Sequence, residues 1–145
     1  MPNWCENTLE LTFTSEAAAD EFVKLAEAED FGLLNHFVPM PDSVFHGSLG
    51  DKERKEHGAN NWYDWSVANW GTKWEARLNE LDLNGGITRV SDKTVMLEFE
   101  TAWEPPVKAF EAIESQGLGV YATFYEPGMN FQGTFMDNTL VVEEL

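Results

Sequence analysis

Thr8-Leu9-Glu10-Leu11-Thr12-Phe13 alternates apolar and polar residues, and directly after it the period changes: Ser15-Glu16 leads into Ala18, Phe22, Leu25, Ala26 and Glu29 at helical spacing. A period of two puts Leu9, Leu11 and Phe13 on one face of a half-buried strand, whereas the longer period puts Phe22 and Leu25 on one stripe of a helix. Ser15 carries an N-capping hydroxyl and Glu16 sits where the helix dipole favours a carboxylate. A helix is therefore expected from Glu16 to Glu29.

The second half of the chain repeats the alternation of strand and helix. Ile87 to Val90 and Thr94 to Thr101 flank Ser91-Asp92-Lys93 as a β-hairpin, with Val95, Leu97 and Phe99 on one face. Pro105-Pro106 starts a second helix with the stripe Val107, Phe110 and Ile113, and Gly117 offers a left-handed C-cap over which Leu118 folds back. Val120, Ala122 and Phe124 alternate in another strand, Pro127-Gly128 turns the chain, and Phe131 to Met136 and Leu140 to Val142 form a meander around Asp137-Asn138. Between the halves, Phe31 to Val38 reads as a short strand that Pro39-Met40-Pro41 ends, and Asp51 to Glu56 as an exposed helical turn or loop. Tyr63, Val67, Trp70, Trp74, Leu78 and Leu81 predict two short helices meeting near Gly71, before the turn Asn84-Gly85-Gly86. The whole reads as α+β: one domain over residues 1–145, a ferredoxin-like split β-α-β sandwich with an antiparallel sheet, a helical insertion at about 39–86 and an extra C-terminal hairpin.

A chain of 145 residues with six Trp, ten Phe and three Tyr has the apolar area for one core. Cys5 is the single cysteine, which excludes an internal disulfide and points to a reducing, cytoplasmic setting. The start, Met1-Pro2-Asn3-Trp4, lacks the basic and apolar regions of a signal peptide, and no stretch is apolar enough to span a bilayer. Nine Lys and Arg against twenty-six Asp and Glu leave 9 − 26 = −17. Such a charge repels nucleic acid and anionic membrane and steers basic partners in, although acidity also serves solubility alone.

Catalytic signatures are missing. His36, His46 and His57 have no metal-ligand spacing, no carboxylate run has the calcium-loop pattern, and Asn84-Gly85-Gly86 precedes a strand where a phosphate cradle opens a helix. Ser48 lies outside a nucleophile elbow, and Cys5 adjoins Glu6, which disfavours a thiolate. The expectation is a non-enzymatic protein without metal or cofactor.

Three tryptophan-bearing polar motifs stand out: Asn3-Trp4-Cys5-Glu6-Asn7, Asn69-Trp70-Gly71-Thr72-Lys73-Trp74 and Thr101-Ala102-Trp103-Glu104-Pro105-Pro106. Their plainest role is packing of the insertion onto the sheet. The sharper one is a binding pocket formed by Asn3, Trp4, Asn7, Trp70, Thr72, Lys73, Trp74 and Trp103, with Lys73 a cation held among aromatics. In order and wording these motifs, with Tyr125-Glu126-Pro127-Gly128 and Phe131-Gln132-Gly133 near the end, resemble the YubB-type family with a ferredoxin-like domain, carried by phages and plasmids. The resemblance implies a fold and a mobile-element origin and transfers no activity. Taken with the charge, it points to a basic, nucleic-acid-binding protein partner of host origin, such as a defence component, inhibited or modulated by an acidic face that imitates DNA. Asp20, Glu21, Glu27, Glu98, Glu100, Glu143 and Glu144 are the candidate carboxylates of that face.

Overall fold

A computed structural model describes residues 3–28, 30–78 and 85–145. The chain runs β1 (Trp4–Thr12), α1 (Glu16–Ala26), α2 (Leu33–Phe37), α3 (Asp51–His57), α4 (Trp62–Asn69), β2 (Arg77–Leu78), β3 (Ile87–Arg89), β4 (Thr94–Ala102), α5 (Val107–Ser115), β5 (Gly119–Glu126), β6 (Phe131–Met136) and β7 (Thr139–Glu144). It is an α+β protein whose seven described strands form one antiparallel sheet in the order β2-β4-β1-β5-β6-β7, with β3 also pairing β4.

The period-two strands pack one face only. Leu9 and Leu11 of β1, Val95, Leu97 and Phe99 of β4, Val120 and Ala122 of β5 and Phe135 of β6 meet Ala19, Phe22 and Ala26 of α1, Leu33 and Phe37 of α2 and Phe110 and Ile113 of α5 in one core. Burying each of these large side chains is worth about 1.5–3 kcal/mol. On the opposite sheet face Trp4, Glu6, Thr8 and Glu10 alternate with the buried positions, and none of the described helices covers them.

The opening strand and the expected start of the first helix are present, and Ser15 Oγ accepts from Ala18 N at 3.1 Å. Leu25 departs from expectation: it is 47% exposed, because the buried stripe runs through Ala19, Phe22 and Ala26 and leaves Leu25 on its rim. The expected last residue of that helix, Glu29, lies outside the described residues, as do Leu81, Asn84 and the initial Met1-Pro2.

Two elements of the middle segment differ from the sequence reading. Phe31 to Val38 is not a strand but contains the helix α2. Its first amides are taken by a carboxylate remote in sequence: Glu75 accepts from Leu34 N at 2.7 Å and from Asn35 N at 2.8 Å. That satisfies donors which a short helix would otherwise leave open. Burial pushes the Glu75 carboxyl above its ordinary range even against these bonds and a third from Ala76 N. Likewise, of the two helices expected around Gly71 the described residues contain only the first. After Trp70 the chain takes a left-handed step at Gly71, φ 89°, and Arg77–Leu78 then pair with Glu100 and Phe99 of β4.

The C-terminal half follows expectation closely. Gly117 is left-handed at φ 95° after α5, and the β6–β7 hairpin turns through Asp137 and Asn138, with φ 52° and 56°. Two consecutive positive φ values are what a tight turn matched to strand twist requires.

Candidate functional site

The three tryptophan motifs converge at one end of the sheet, but not into one pocket. β1 and β4 pair from Trp4↔Ala102 to Thr12↔Thr94, so the Asn3–Asn7 and Thr101–Glu104 segments lie side by side. The chain at Thr72 closes over them: its side chain is fully buried and its hydroxyl donates to the Ala102 carbonyl at 2.8 Å. Trp103 takes φ 70°, a left-handed conformation that costs a bulky residue, and its N–H donates to the Asn3 carbonyl at 2.8 Å.

Beneath this junction, on the helix side of the sheet, lies a buried polar cluster. Asn7 Nδ2 donates to Thr101 Oγ1 at 2.9 Å and to the Cys5 carbonyl at 3.1 Å. Glu126 is fully buried, and its Oε1 accepts from Gly128 N at 3.1 Å. Asn7 Oδ1 and Glu126 Oε2 have no hydrogen-bond partner among the described residues. Burial, and after it the Glu126 side chain, pushes the Cys5 thiol up to about 12, so Cys5 is held as an unreactive thiol.

On the uncovered side of the same junction an aromatic ladder reaches solvent. Lys73 Nζ stands 4.1 Å from the Trp74 ring, Trp74 lies 6.0 Å from Trp4 at an interplanar angle of 37°, and the Arg77 guanidinium is 4.6 Å from the Trp4 ring. Trp74 is 38% exposed. The expected residues divide accordingly. Trp4, Lys73 and Trp74 share the ladder; Trp70, Thr72 and Asn7 are buried, with Trp70 Nε1 donating to the Val38 carbonyl at 2.8 Å. Trp103, 39% exposed, lines a separate groove with Val107 and Val142. Asn3 supplies its carbonyl to Trp103 and its side chain packs where a Cβ on Gly128 would stand. Arg77, the second cation of the ladder, escaped the sequence reading because its strand was taken for helix.

The candidate carboxylates lie on two faces. Asp20, Glu21 and Glu27 follow α1, on the helix side of the sheet, and Asp20 is engaged by Arg89 at 2.8 Å. Glu98 and Glu100 alternate with the buried Leu97 and Phe99 and so belong to the uncovered face. Glu143 joins them through its pairing with Gln132, which itself pairs Tyr125, the partner of Glu6; Glu144 points to the other side. Glu6 and Glu10 complete the set, and their alternation with Cys5, Asn7, Leu9 and Leu11 was legible in the sequence. Glu6 stands directly opposite Glu100. A hollow of about 560 Å³ on this face is lined by Glu6, Thr8, Thr123, Tyr125, Gln132 and Glu143.

Among the described residues no group of three or more His, Cys, Asp or Glu is arranged to hold a metal ion, and no helix is long and apolar enough to cross a membrane. No protein-family model, curated protein or solved structure matches the chain.

Proposed function

We propose that this protein is a non-enzymatic interaction module that binds a basic, nucleic-acid-binding protein of the host of a mobile element, and inhibits or modulates it in the cytoplasm by presenting carboxylates in place of DNA phosphates. The observation that carries this reading is the opposition of Glu6 and Glu100 on a sheet face that none of the described helices covers. Like charges directly opposite on neighbouring strands destabilise a sheet. Arg77, the partner of Glu100 on its other side, offsets part of that cost, and a cationic surface docked on the face offsets more of it while also meeting Glu10 and Glu143. The net charge of −17 supplies long-range steering of the same sign. Kinship with the YubB-type family belongs to this proposal, supported by the meeting of its three motifs at one sheet end. So does the ferredoxin-like fold within a single inserted domain, supported by the strand order β5-β1-β4-β3 and by a helix after β1 and after β4 on one sheet face.

A second reading has its own observation, since two of the nine Lys and Arg residues flank the pair made by Trp4 and the exposed Trp74. It makes the ladder a pocket for a small ligand or peptide. One experiment separates the two: capture of bacterial lysate proteins on the immobilised chain at about 0.05 M and about 0.5 M salt, over which the Debye length shrinks severalfold. The expected result is a basic protein retained at low salt only and released by duplex DNA. It is lost when Glu6→Gln, Glu98→Gln, Glu100→Gln and Glu143→Gln are combined, and kept when Glu21→Gln and Glu27→Gln are combined. Equal capture by both variants sinks the acidic-face reading, and salt-insensitive capture lost in Trp74→Ala supports the pocket instead.

A further inference from the structure

β7 is the outer edge of the sheet, and all six of its residues are exposed. The helices cover β4, β1, β5 and Phe135 of β6, while β7 lies beyond them, so Leu140 and Val142 meet a groove where they could have met a helix. That groove encloses about 1030 Å³ between the hairpin and the start of α5, and Trp103, Val107 and Met129 supply its apolar wall.

The ladder register fixes which backbone groups of the edge are free. Leu145 N donates to the Asn130 carbonyl, and Met136↔Thr139 closes the hairpin, so every second pair between these limits exchanges hydrogen bonds. Glu143, Val141 and Thr139 therefore turn their amides and carbonyls towards β6. Leu140, Val142 and Glu144 turn theirs outward. The residues with open backbone groups are thus the same ones whose side chains line the groove.

We infer that β7 accepts an extended segment of a partner protein as an additional strand, and that this segment alternates apolar with basic residues. Its apolar side chains enter the groove beside Leu140, Val142 and Trp103, in the manner of strand addition to a free sheet edge. Its basic side chains fall on the other face, next to Glu143, which shares that face with Glu6. Glu104 and Glu144 add negative charge at the groove, whereas Lys108, the one cation among the described residues that line it, already stands 4.0 Å from Glu111. A second copy of the chain fits poorly, since it brings a further net charge of −17 and no cation in its own β7. The inference does not depend on the acidic sheet face binding anything by itself.

The test uses a fluorescent peptide of about eight residues, the length of an ordinary strand, alternating valine and lysine, with a control of equal charge in which a central valine is proline. The first peptide is expected to bind by anisotropy, and the control to bind about tenfold more weakly, because proline cannot donate to the edge. Val142→Pro removes an outward N–H without removing a bond to β6, and is expected to weaken the valine–lysine peptide about tenfold too, with the far-ultraviolet spectrum unchanged. Amide exchange of the unsubstituted protein gives an answer that does not rely on the variant folding: the Leu140, Val142 and Glu144 amides become protected when peptide is added. Equal affinity for the two peptides, no new protection at those amides, or a dimer that dissociates on Val142→Pro overturns the inference, the first as mere charge attraction and the last as pairing between copies.

Discussion

Asn7 and Glu126 pose the sharpest question at the level of single residues, for both are buried and each keeps an unpartnered oxygen. Both orphans are acceptors, so a donor is what the cluster lacks. Glu126→Gln keeps an oxygen for Gly128 N and supplies an N–H₂ group, whereas Glu126→Ala removes the acceptor and leaves that amide open. An unsatisfied buried polar group costs about 1–3 kcal/mol. We expect Glu126→Gln to raise the unfolding free energy by about 1 kcal/mol and Glu126→Ala to lower it by about 2 kcal/mol, read from urea melts with equal slopes. A Gln variant less stable than the Ala variant contradicts this reading. The sequence marks Asn7 only as the polar member of an alternating strand, and nothing local to Tyr125-Glu126-Pro127 says that its carboxylate is buried. Sequence shows which residue alternates inward, but not what it meets there.

At the level of elements, the step between α4 and β2 depends on Gly71. Its φ of 89° excludes most side chains, and a Cβ there would stand 3.1 Å from the backbone nitrogens of Val107 and Lys108 at the start of α5. Gly117 is also left-handed, at φ 95°, but no described atom lies within 4 Å of its Cβ position. Gly117→Ala should therefore cost only the backbone term, about 1 kcal/mol, and Gly71→Ala about 2 kcal/mol or more, since helix backbone cannot easily yield. Thermal melts of the two variants check the order, and equal costs would mean that α5 gives way. The glycine was visible as an interruption of a helical stripe. That the chain beyond it becomes a strand was not, because Trp70, Trp74 and Leu78 keep helical spacing while the pairing of Arg77 with Glu100 decides the conformation. α2 fails in the same way, since the Glu75 that caps it comes from another segment of the chain.

For the molecule as a whole, charge governs how stability responds to pH and salt. Burial raises the Glu75 and Glu104 carboxyls above their ordinary 4.5, so their contribution is complete below that value and is lost as pH rises through the raised one. Burial lowers His36 from 6.5, so its contribution is present above that value and is lost as pH falls through the lowered one. Self-repulsion at −17 weakens whenever carboxylates take up protons or salt screens them. The melting temperature should therefore rise by a few degrees as pH falls from about 8 towards 4.5, and His36 should oppose the trend below 6.5. Raising salt from about 0.05 M to about 0.5 M at pH 8 should shift it in the same direction. A melting temperature indifferent to both would show that the carboxylates are too far apart to repel.

Read alone, the sequence determined the elements whose stabilisation is local: the alternating strands β1, β4 and β5, the capped helix α1, the Pro-led and Gly-ended α5, and the Asp137-Asn138 hairpin. Hydrophobic period, caps and turn residues act over a few positions, and a reader of one segment has all of them in hand. Only the tertiary structure decided that α2 is a helix, that Arg77 is in a strand and beside Trp4, that the named carboxylates divide between two faces, and that β7 is left as an open edge beside a groove. Each of these rests on strand register or on a hydrogen bond between segments far apart in the chain, and no local pattern carries the energy of a contact whose other half lies elsewhere.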